Sequence, residues 1–175
     1  NKKQFFSRQN KPFNAPRWFI NAMPHSLVDG ELWIGRNMFQ GMGTVRKKVP
    51  IDEEWLNITF QVYDLPEHPE TFKERLTELK RIVSETKEYW NKERNKYEYP
   101  FNKLECPVVV AEQIIVKNDT HMDVVYQDII KKGGEGIMLK DPNSPYEGKR
   151  SNFLLKYKPN FDAEGIIIGY KLGQN

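Results

Sequence analysis

The stretch Gly133–Pro159 constrains the fold most, because it reads as two short β-strands joined by a turn-rich, polar insert. In its second strand pattern, Phe153–Lys158, side chains alternate between two faces. Lys156 and Lys158 therefore share one face, and Leu155 and Tyr157 share the other. Two neighbouring ammonium groups repel each other. We predict that this face meets solvent or a polyanion.

Glu135 lies at the start of the first strand pattern, within the glycine-rich run 133–136. Missing side chains let a ligand approach a backbone closely. A carboxylate opposite paired lysines suits a site that holds a phosphate and a divalent metal together. The stretch therefore predicts such a site, with Glu135, Lys156 and Lys158 as its candidate ligands.

Hydrophobic periodicity divides most of the remaining chain into strand and helix patterns. Strand patterns cover Leu27–Ile34, Ile58–Leu65, Pro107–Val116 and Ala163–Tyr170, and helical patterns cover Glu70–Arg94 and the segment from Met122 to Ile129. Segments 38–43 and 92–103 read as a flexible connection and a loop. Strands outnumber helices and do not alternate with them regularly. This predicts an α+β domain with mainly antiparallel sheets rather than a doubly wound one.

Composition narrows the class of protein. At 175 residues the chain fits one domain, and its net charge of +3 permits a nucleic-acid partner without requiring one. Cys106 is the only cysteine, so no internal disulfide can form and a reducing, intracellular location is expected. No apolar run approaches membrane-spanning length, which predicts no membrane association. The chain starts at Asn1 rather than Met, so targeting cannot be read.

Several polar side chains in the strand patterns have two interpretations. Asp29 and Glu31 share one strand face, either as solvated acids of an edge or as ligands of a metal or a ribose hydroxyl. Tyr63 faces away from the apolar side of its strand, where it either stacks on a base or packs with its hydroxyl exposed. Ser7 and Arg8 either bind a phosphate or form an exposed turn.

The order of these motifs resembles that of the covalent nucleotidyltransferases, and within them the adenylation domain of an ATP-dependent DNA ligase. The motifs that carry the resemblance are Ser7-Arg8, Asp29-Gly30-Glu31-Leu32-Trp33, Phe60-Gln61-Val62-Tyr63-Asp64-Leu65-Pro66, Glu135-Gly136-Ile137-Met138-Leu139-Lys140 and Leu155-Lys156-Tyr157-Lys158. The flanks Ala15-Pro16-Arg17-Trp18-Phe19 and Asp162-Ala163-Glu164 are similar to those of the small, minimal ligases of bacterial type. The implied fold is an antiparallel-rich, ATP-grasp-like α+β nucleotidyltransferase domain with two sheets flanked by helices.

The resemblance also implies roles for the nucleotide-binding residues. Glu31 matches the acidic residue that contacts the ribose or the catalytic metal, and Tyr63 matches the aromatic residue that stacks on adenine. Glu135 matches a second acidic residue used for metal-assisted adenylyl transfer. Lys156 and Lys158 match the lysine pair that touches the α-phosphate. The implied nucleotide is ATP, and the implied ion is Mg²⁺, with Glu31 and Glu135 as its ligands.

The DNA-binding positions are implied in the same way. Ser7 and Arg8 match the group that receives the 5′-phosphate of the nick. Lys149 and Arg150 stand, more loosely, where relatives carry a basic residue that faces AMP or DNA phosphate. The implied partner is nicked duplex DNA, which the parent protein seals through a lysyl-AMP and a DNA-adenylate intermediate.

The family's nucleophile, a lysine in a Lys-x-Asp-Gly motif, has no match in the chain, where the single Asp-Gly is Asp29-Gly30. We therefore expect residues 1–175 to be an adenylation domain without its N-terminal nucleophile segment and without the downstream oligonucleotide-binding domain. The nucleophile would then come from an upstream segment or a complementary fragment, in a protein that is otherwise monomeric. A non-catalytic relative and an intact enzyme with a relocated nucleophile are the alternatives.

Two rival functions share parts of this pattern. An RNA ligase or an mRNA-capping guanylyltransferase has the same motif order, although the Asp-Ala-Glu and Ser-Arg-Gln segments favour a DNA ligase. A non-catalytic nucleic-acid-binding module would bind DNA without forming any adenylate.

Overall fold

A computed structural model describes residues 3–36, 38–160, 164–166 and 168–171. Its strands are β1 (Phe5–Phe6), β2 (Pro12–Phe13), β3 (Asp29–Trp33), β4 (Thr59–Asp64), β5 (Val108–Val110), β6 (Ile137–Lys140) and β7 (Leu154–Tyr157). Its α-helices are α1 (Arg17–Asn21), α2 (Phe72–Glu93) and α3 (Asp119–Lys131). The sheets β3-β4-β5 and β6-β7 are accompanied by the short hairpin β1-β2. These elements form the α+β arrangement that the periodicity predicts.

The three-stranded sheet carries the core on one face. Strand β3 pairs antiparallel with β4, and β4 pairs parallel with β5. Ile58, Phe60 and Val62 are buried, whereas Tyr63 points to the other face, as the alternation along this strand predicts. Helix α2 packs against β4 and β5 and thereby covers the apolar face.

Aromatic side chains fill the rest of the core. Trp18 and Phe19 from α1 are buried, and the Phe19 ring lies 4.9 Å from that of Trp55. Trp18 also contacts Trp90 of α2, at 6.3 Å between ring centroids. Tilted and edge-to-face contacts of this kind are the favoured geometries for aromatic pairs. They fix α1 and α2 on the same side of the central sheet.

The sheet β6-β7 is joined to α3. Asn118 caps α3 by accepting a hydrogen bond from the His121 N–H at 2.9 Å, and Gly133, with φ of 78°, follows its end. Strands β6 and β7 pair antiparallel with Met138 opposite Lys156. The Tyr157 ring packs edge-on against Tyr126 of α3, at 4.7 Å between centroids. The predicted helix over Met122 to Ile129 and the predicted strand pair are both confirmed.

Two predicted strands are wrong in extent. Only Val108–Val110 of 107–116 joins the sheet, because the Ala111 N–H makes the last bond to Val62 and Ile115 is then exposed. Residues 164–166 and 168–170 of the last predicted strand form no strand, whereas 163 and 167 lie outside the described residues. A β-branched run becomes a strand only where a neighbour satisfies its backbone groups.

Two predicted connections contain regular structure. The segment read as flexible, 38–43, lies largely in a 3₁₀-helix, Phe39–Arg46. The predicted loop 92–103 contains the end of α2 and two more 3₁₀-helices, Arg94–Lys96 and Phe101–Lys103. Phe101 packs on Trp18 at 5.5 Å, so apolar contact with the core orders this segment. No helix in the described part of the chain has the length and apolar character needed to cross a bilayer.

Candidate nucleotide-binding site

A carboxylate shared by two tyrosines lies at the start of β3. Asp29 accepts a hydrogen bond from the Tyr63 hydroxyl at 3.3 Å through Oδ1, and from the Tyr146 hydroxyl at 3.0 Å through Oδ2. The β3-β4 register shifts between Asp29 and Gly30, which places Asp29 opposite Asp64 at the end of β4. Both phenol rings are thereby directed toward one end of the β3-β4 ladder.

Both tyrosines stay protonated under ordinary conditions. Burial raises the pKa of Tyr63 well above its usual value, and the charge of Asp29 and the hydrogen bond to it raise it further. The same causes, burial first, raise the pKa of Tyr146 to about 12. Each hydroxyl therefore remains a donor to Asp29 across the pH range in which proteins are usually studied.

Glu31 lies on the same sheet face as Tyr63. It pairs with Gln61, which precedes Tyr63 by two residues along β4, so Glu31 and Tyr63 are diagonal neighbours. Both side chains are accessible to solvent. A ligand can therefore meet an aromatic ring and a carboxylate on one open surface.

A buried ion-pair network lies directly behind Tyr63. Asp64 accepts two hydrogen bonds from Arg75 of α2, from Nε at 2.6 Å and from Nη2 at 3.2 Å. Lys140 at the end of β6 also pairs with Asp64. Arg75 and Asp64 are almost completely buried, whereas Lys140 is partly exposed. This network joins β4, α2 and β6 around one carboxylate.

Asp64 remains ionised in this network. Burial alone would raise the pKa of its carboxyl, but the hydrogen bonds from Arg75, Lys140 and the Leu65 N–H outweigh that effect and hold the pKa below its usual value. The cations are also in contact with an aromatic ring, since the Lys140 ammonium lies 4.2 Å from the centroid of Phe72.

Glu135 directly precedes Gly136, the residue that lies against the backbone of Lys158. Gly136 has φ of +150° and lies so close to β7 that a Cβ there would be 2.9 Å from the Cβ of Lys158. The backbone contact with Lys158 is thus made by the residue that follows Glu135. Lys156, opposite Met138, is exposed on the face away from Tyr126, as the alternation predicts. Gly136 permits the close approach of β7, and the predicted approach of a ligand to the glycine-rich run 133–136 stays a prediction.

The predicted DNA-phosphate residues lie in two exposed turns. Ser7 and Arg8 form the turn of the β1-β2 hairpin, in which the Ser7 hydroxyl accepts a bond from the Lys11 N–H at 3.2 Å. Lys149 and Arg150 are exposed in the loop between β6 and β7. Within the described part of the chain, no hydrogen bond or ion pair connects either turn to Glu31, Tyr63 or Glu135.

Sequence reasoning missed Arg75 and Tyr146. Arg75 lies within the helical pattern Glu70–Arg94 without being singled out, yet it is completely buried with Phe72 and Leu79 on the apolar face of α2. Arg75 follows Phe72 by three residues and precedes Leu79 by four, and this helical spacing would have predicted its position on the apolar face. Tyr146 carries no such signal, because only the tertiary fold brings its loop to Asp29.

Solved structures share this fold. A Lig E DNA ligase, described for DNA binding with a minimal scaffold, matches with a TM-score of 0.72 at 25% identity over 90% of this chain and 56% of its own. Chlorella virus DNA ligase-adenylate matches with a TM-score of 0.67 at 20% identity, over 90% of this chain and 56% of its own. The domain therefore has the fold of a DNA ligase adenylation domain.

Sequence comparison gives the family. The profile of the ATP dependent DNA ligase domain matches residues 1–158. The DNA ligase of Haemophilus influenzae is 32% identical over 174 residues, which are 99% of this chain and 58% of that protein. The DNA ligase of bacteriophage T4 is 35% identical over 82 residues, which are 43% of this chain and 17% of that protein. The chain belongs to the ATP-dependent DNA ligase family, and it spans somewhat more than half the length of its Haemophilus relative.

Proposed function

We propose that this chain is the nucleotide-binding part of a DNA ligase that seals nicks in duplex DNA at the expense of ATP. The observation that carries the proposal is the open face of the β3-β4 ladder, on which Glu31 and Tyr63 are diagonal neighbours. Family membership and the motif order support it. The particular activity and the DNA substrate are inferred for the whole protein.

In this proposal each side chain acts on one part of ATP. Tyr63 stacks on adenine, and Glu31 binds the ribose or the metal. Lys156 and Lys158 stabilise the charge that develops on the α-phosphate during adenylyl transfer. The exposure of these groups on open strand faces is compatible with binding a ligand of this size.

Mg²⁺ fits the carboxylates that are available. The described residues contain no cluster of three or more metal-ligating side chains, but Mg²⁺ in phosphate-transfer sites is held by one or two carboxylates together with substrate oxygens and water. Glu31 and Glu135, both accessible, would supply those carboxylates. When bound, the ion would neutralise negative charge on the phosphate oxygens.

The attacking lysine is proposed to lie in a segment upstream of Asn1. Its ammonium must lose a proton before attack, and Lys156 and Lys158 are exposed side chains whose role is electrostatic. The exposed turns with Ser7, Arg8, Lys149 and Arg150 are proposed to contact DNA phosphates.

The proposal is tested by ligation with the native upstream sequence restored. We expect the wild-type protein to seal a nicked duplex with ATP, and Lys158→Ala to seal it about 100-fold more slowly, because a charge that stabilises the transition state is lost. Lys80→Ala, an exposed lysine on α2, is the control and should seal normally. Unchanged sealing by Lys158→Ala would refute the role of that lysine.

Two rivals give different results in the same assay. A capping enzyme would form its covalent intermediate with GTP rather than ATP, and an RNA ligase would seal an RNA nick in preference to a DNA nick. A non-catalytic module would bind DNA without forming an AMP adduct, which a mass spectrum of the protein after incubation with ATP would reveal.

A further inference from the structure

The loop between β6 and β7 is fixed to helix α2 in its first half. The Ser144 carbonyl accepts hydrogen bonds from the Phe72 N–H at 2.9 Å and from Arg75 Nη1 at 3.0 Å. The Pro142 carbonyl accepts one from the Lys73 N–H at 2.9 Å. Ser144 is itself buried. The backbone that leads into Tyr146 is therefore held in place by the helix.

Tyr146 crosses from this anchored turn to strand β3. Its ring lies 5.9 Å from the guanidinium carbon of Arg75, and its hydroxyl reaches Asp29 at 3.0 Å. The two residues are far apart in sequence. Asp29 belongs to strand β3 of the three-stranded sheet, whereas Tyr146 lies in the loop between β6 and β7. Tyr146 is thus a side-chain link between the β6-β7 loop and the edge of the central sheet.

The link ends on the carboxylate that also holds Tyr63. Asp29 has two oxygens, and each accepts one phenol hydroxyl. With both bonds made, rotation of the Asp29 carboxylate is restricted, because any turn lengthens one bond or the other. The orientation of the Tyr63 ring therefore depends on Tyr146 as well as on its own strand.

We propose that Tyr146 is a positioning residue for the base of the nucleotide: it holds Asp29, and through Asp29 it sets the ring plane of Tyr63. This inference rests on the proposed stacking of adenine on Tyr63. In this role Tyr146 acts through Asp29 and not by its own contact with the base or the phosphate. A ring that is already oriented loses less conformational freedom when it stacks, so the base binds more tightly.

The test compares two probes that differ in the base alone, AMP and ribose 5-phosphate. Each is titrated calorimetrically into the 175-residue chain, as wild type and as Tyr146→Phe. Loss of one hydroxyl should weaken AMP binding about three- to tenfold, the size expected of one lost hydrogen bond. Binding of ribose 5-phosphate should not change. The ratio of the two affinities is measured within one protein, so a partly unfolded variant does not disturb it.

Two further variants separate positioning from general loss of structure. Tyr89→Phe removes the hydroxyl of an exposed helical tyrosine and should leave the ratio as in wild type. In a Tyr63→Ala background, Tyr146→Phe should no longer change AMP binding, because the ring through which it acts is gone.

The outcomes distinguish failure of the positioning role of Tyr146 from failure of the proposed nucleotide-binding function. Two results would overturn the role of Tyr146 without contradicting the nucleotide site. One is that Tyr146→Phe weakens AMP and ribose 5-phosphate binding equally. The other is that Tyr146→Phe weakens AMP binding as much in the Tyr63→Ala background as in the wild-type background. A wild-type chain that binds neither probe overturns the proposed function, and the inference falls with it.

Discussion

At the scale of single residues, Gly136 shows how closely backbone and site are connected. Its φ of +150° lies in a region that side chains rarely adopt, and a Cβ would collide with β7. The neighbouring residue on one side is Glu135, and the one across the sheet is Lys158. A change at this glycine therefore disturbs the sheet and the spacing of both charged groups.

We expect Gly136→Ala to lower the free energy of unfolding by about 1–3 kcal/mol, because the new methyl group is strained in φ and displaces β7. Urea denaturation of the two proteins measures the difference. Gly148→Ala is the matched control in the same hairpin, since its Cβ would meet only an ordinary contact with Tyr146 at 3.8 Å. Equal stability of the two variants would contradict the strain that we infer at position 136.

Residue-scale prediction from the sequence succeeded where a side chain is governed by its own strand. Alternation alone assigned Lys156 and Tyr63 to their faces correctly. Alternation predicts nothing for Tyr146, because this residue lies in a loop and only the tertiary fold brings it to its partner Asp29. The roles of Glu31, Glu135 and the lysines in binding ATP stay predictions.

At the scale of elements, the start of helix α2 and the β6-β7 loop act as one unit. The first amides of the helix donate to loop carbonyls, and Arg75 bonds to the loop and to Asp64 together. Thr71 and Glu74 complete the capping box of this helix, with the Thr71 N–H donating to Glu74 at 3.1 Å. Helix, loop and strand β4 are therefore stabilised jointly.

We expect Arg75→Met to destabilise the protein by about 3 kcal/mol, because a buried charge pair is broken and Asp64 keeps only Lys140 as a cationic partner. Hydrogen exchange at the Phe72 and Lys73 amides should accelerate together, since both donate to the loop. Arg81→Met is the control on the same helix: its pairs with Glu78 and Glu85 are exposed, so its effect should stay below about 1 kcal/mol. Similar effects of the two changes would contradict the importance of the buried network.

Helices and strands were predicted correctly where their hydrophobic periodicity extends over many residues. Helix α2 and the faces of β3 and β4 follow from periodicity over many residues. Strand β5 and the 3₁₀-helices were misjudged, because elements of three to eight residues are decided by which neighbours accept their backbone bonds. The pairing of β4 with β5 in parallel has no local signal at all.

At the scale of the whole molecule, the Asp64 network gives stability a dependence on pH. The folded-state pKa of Asp64 is lowered, so the folded protein binds fewer protons than the unfolded chain near that pH. Its contribution is complete above the unfolded value of about 4 and is lost as the pH falls through the folded value. Acid should therefore weaken the fold through this carboxylate.

We expect the free energy of unfolding to decline as the pH is lowered below about 4, and Asp64→Asn to flatten this decline while lowering stability at neutral pH. Thermal unfolding across a pH series measures both effects. Glu78→Gln is the control, since the Glu78 pair with Arg81 lies at the surface and is screened by solvent. A decline that is just as steep in Asp64→Asn as in wild type would contradict the assignment.

The parallel pairing of β4 with β5 bears on how the chain acquires its structure. Strands that run in the same direction need a long crossover between them, and here α2 supplies it and then packs on both strands. The helix can form from local contacts, whereas the β4-β5 ladder must close a loop that contains the whole helix. We therefore expect α2 to become ordered early during folding and the central sheet to be completed late, with helix docking as the event that aligns β5.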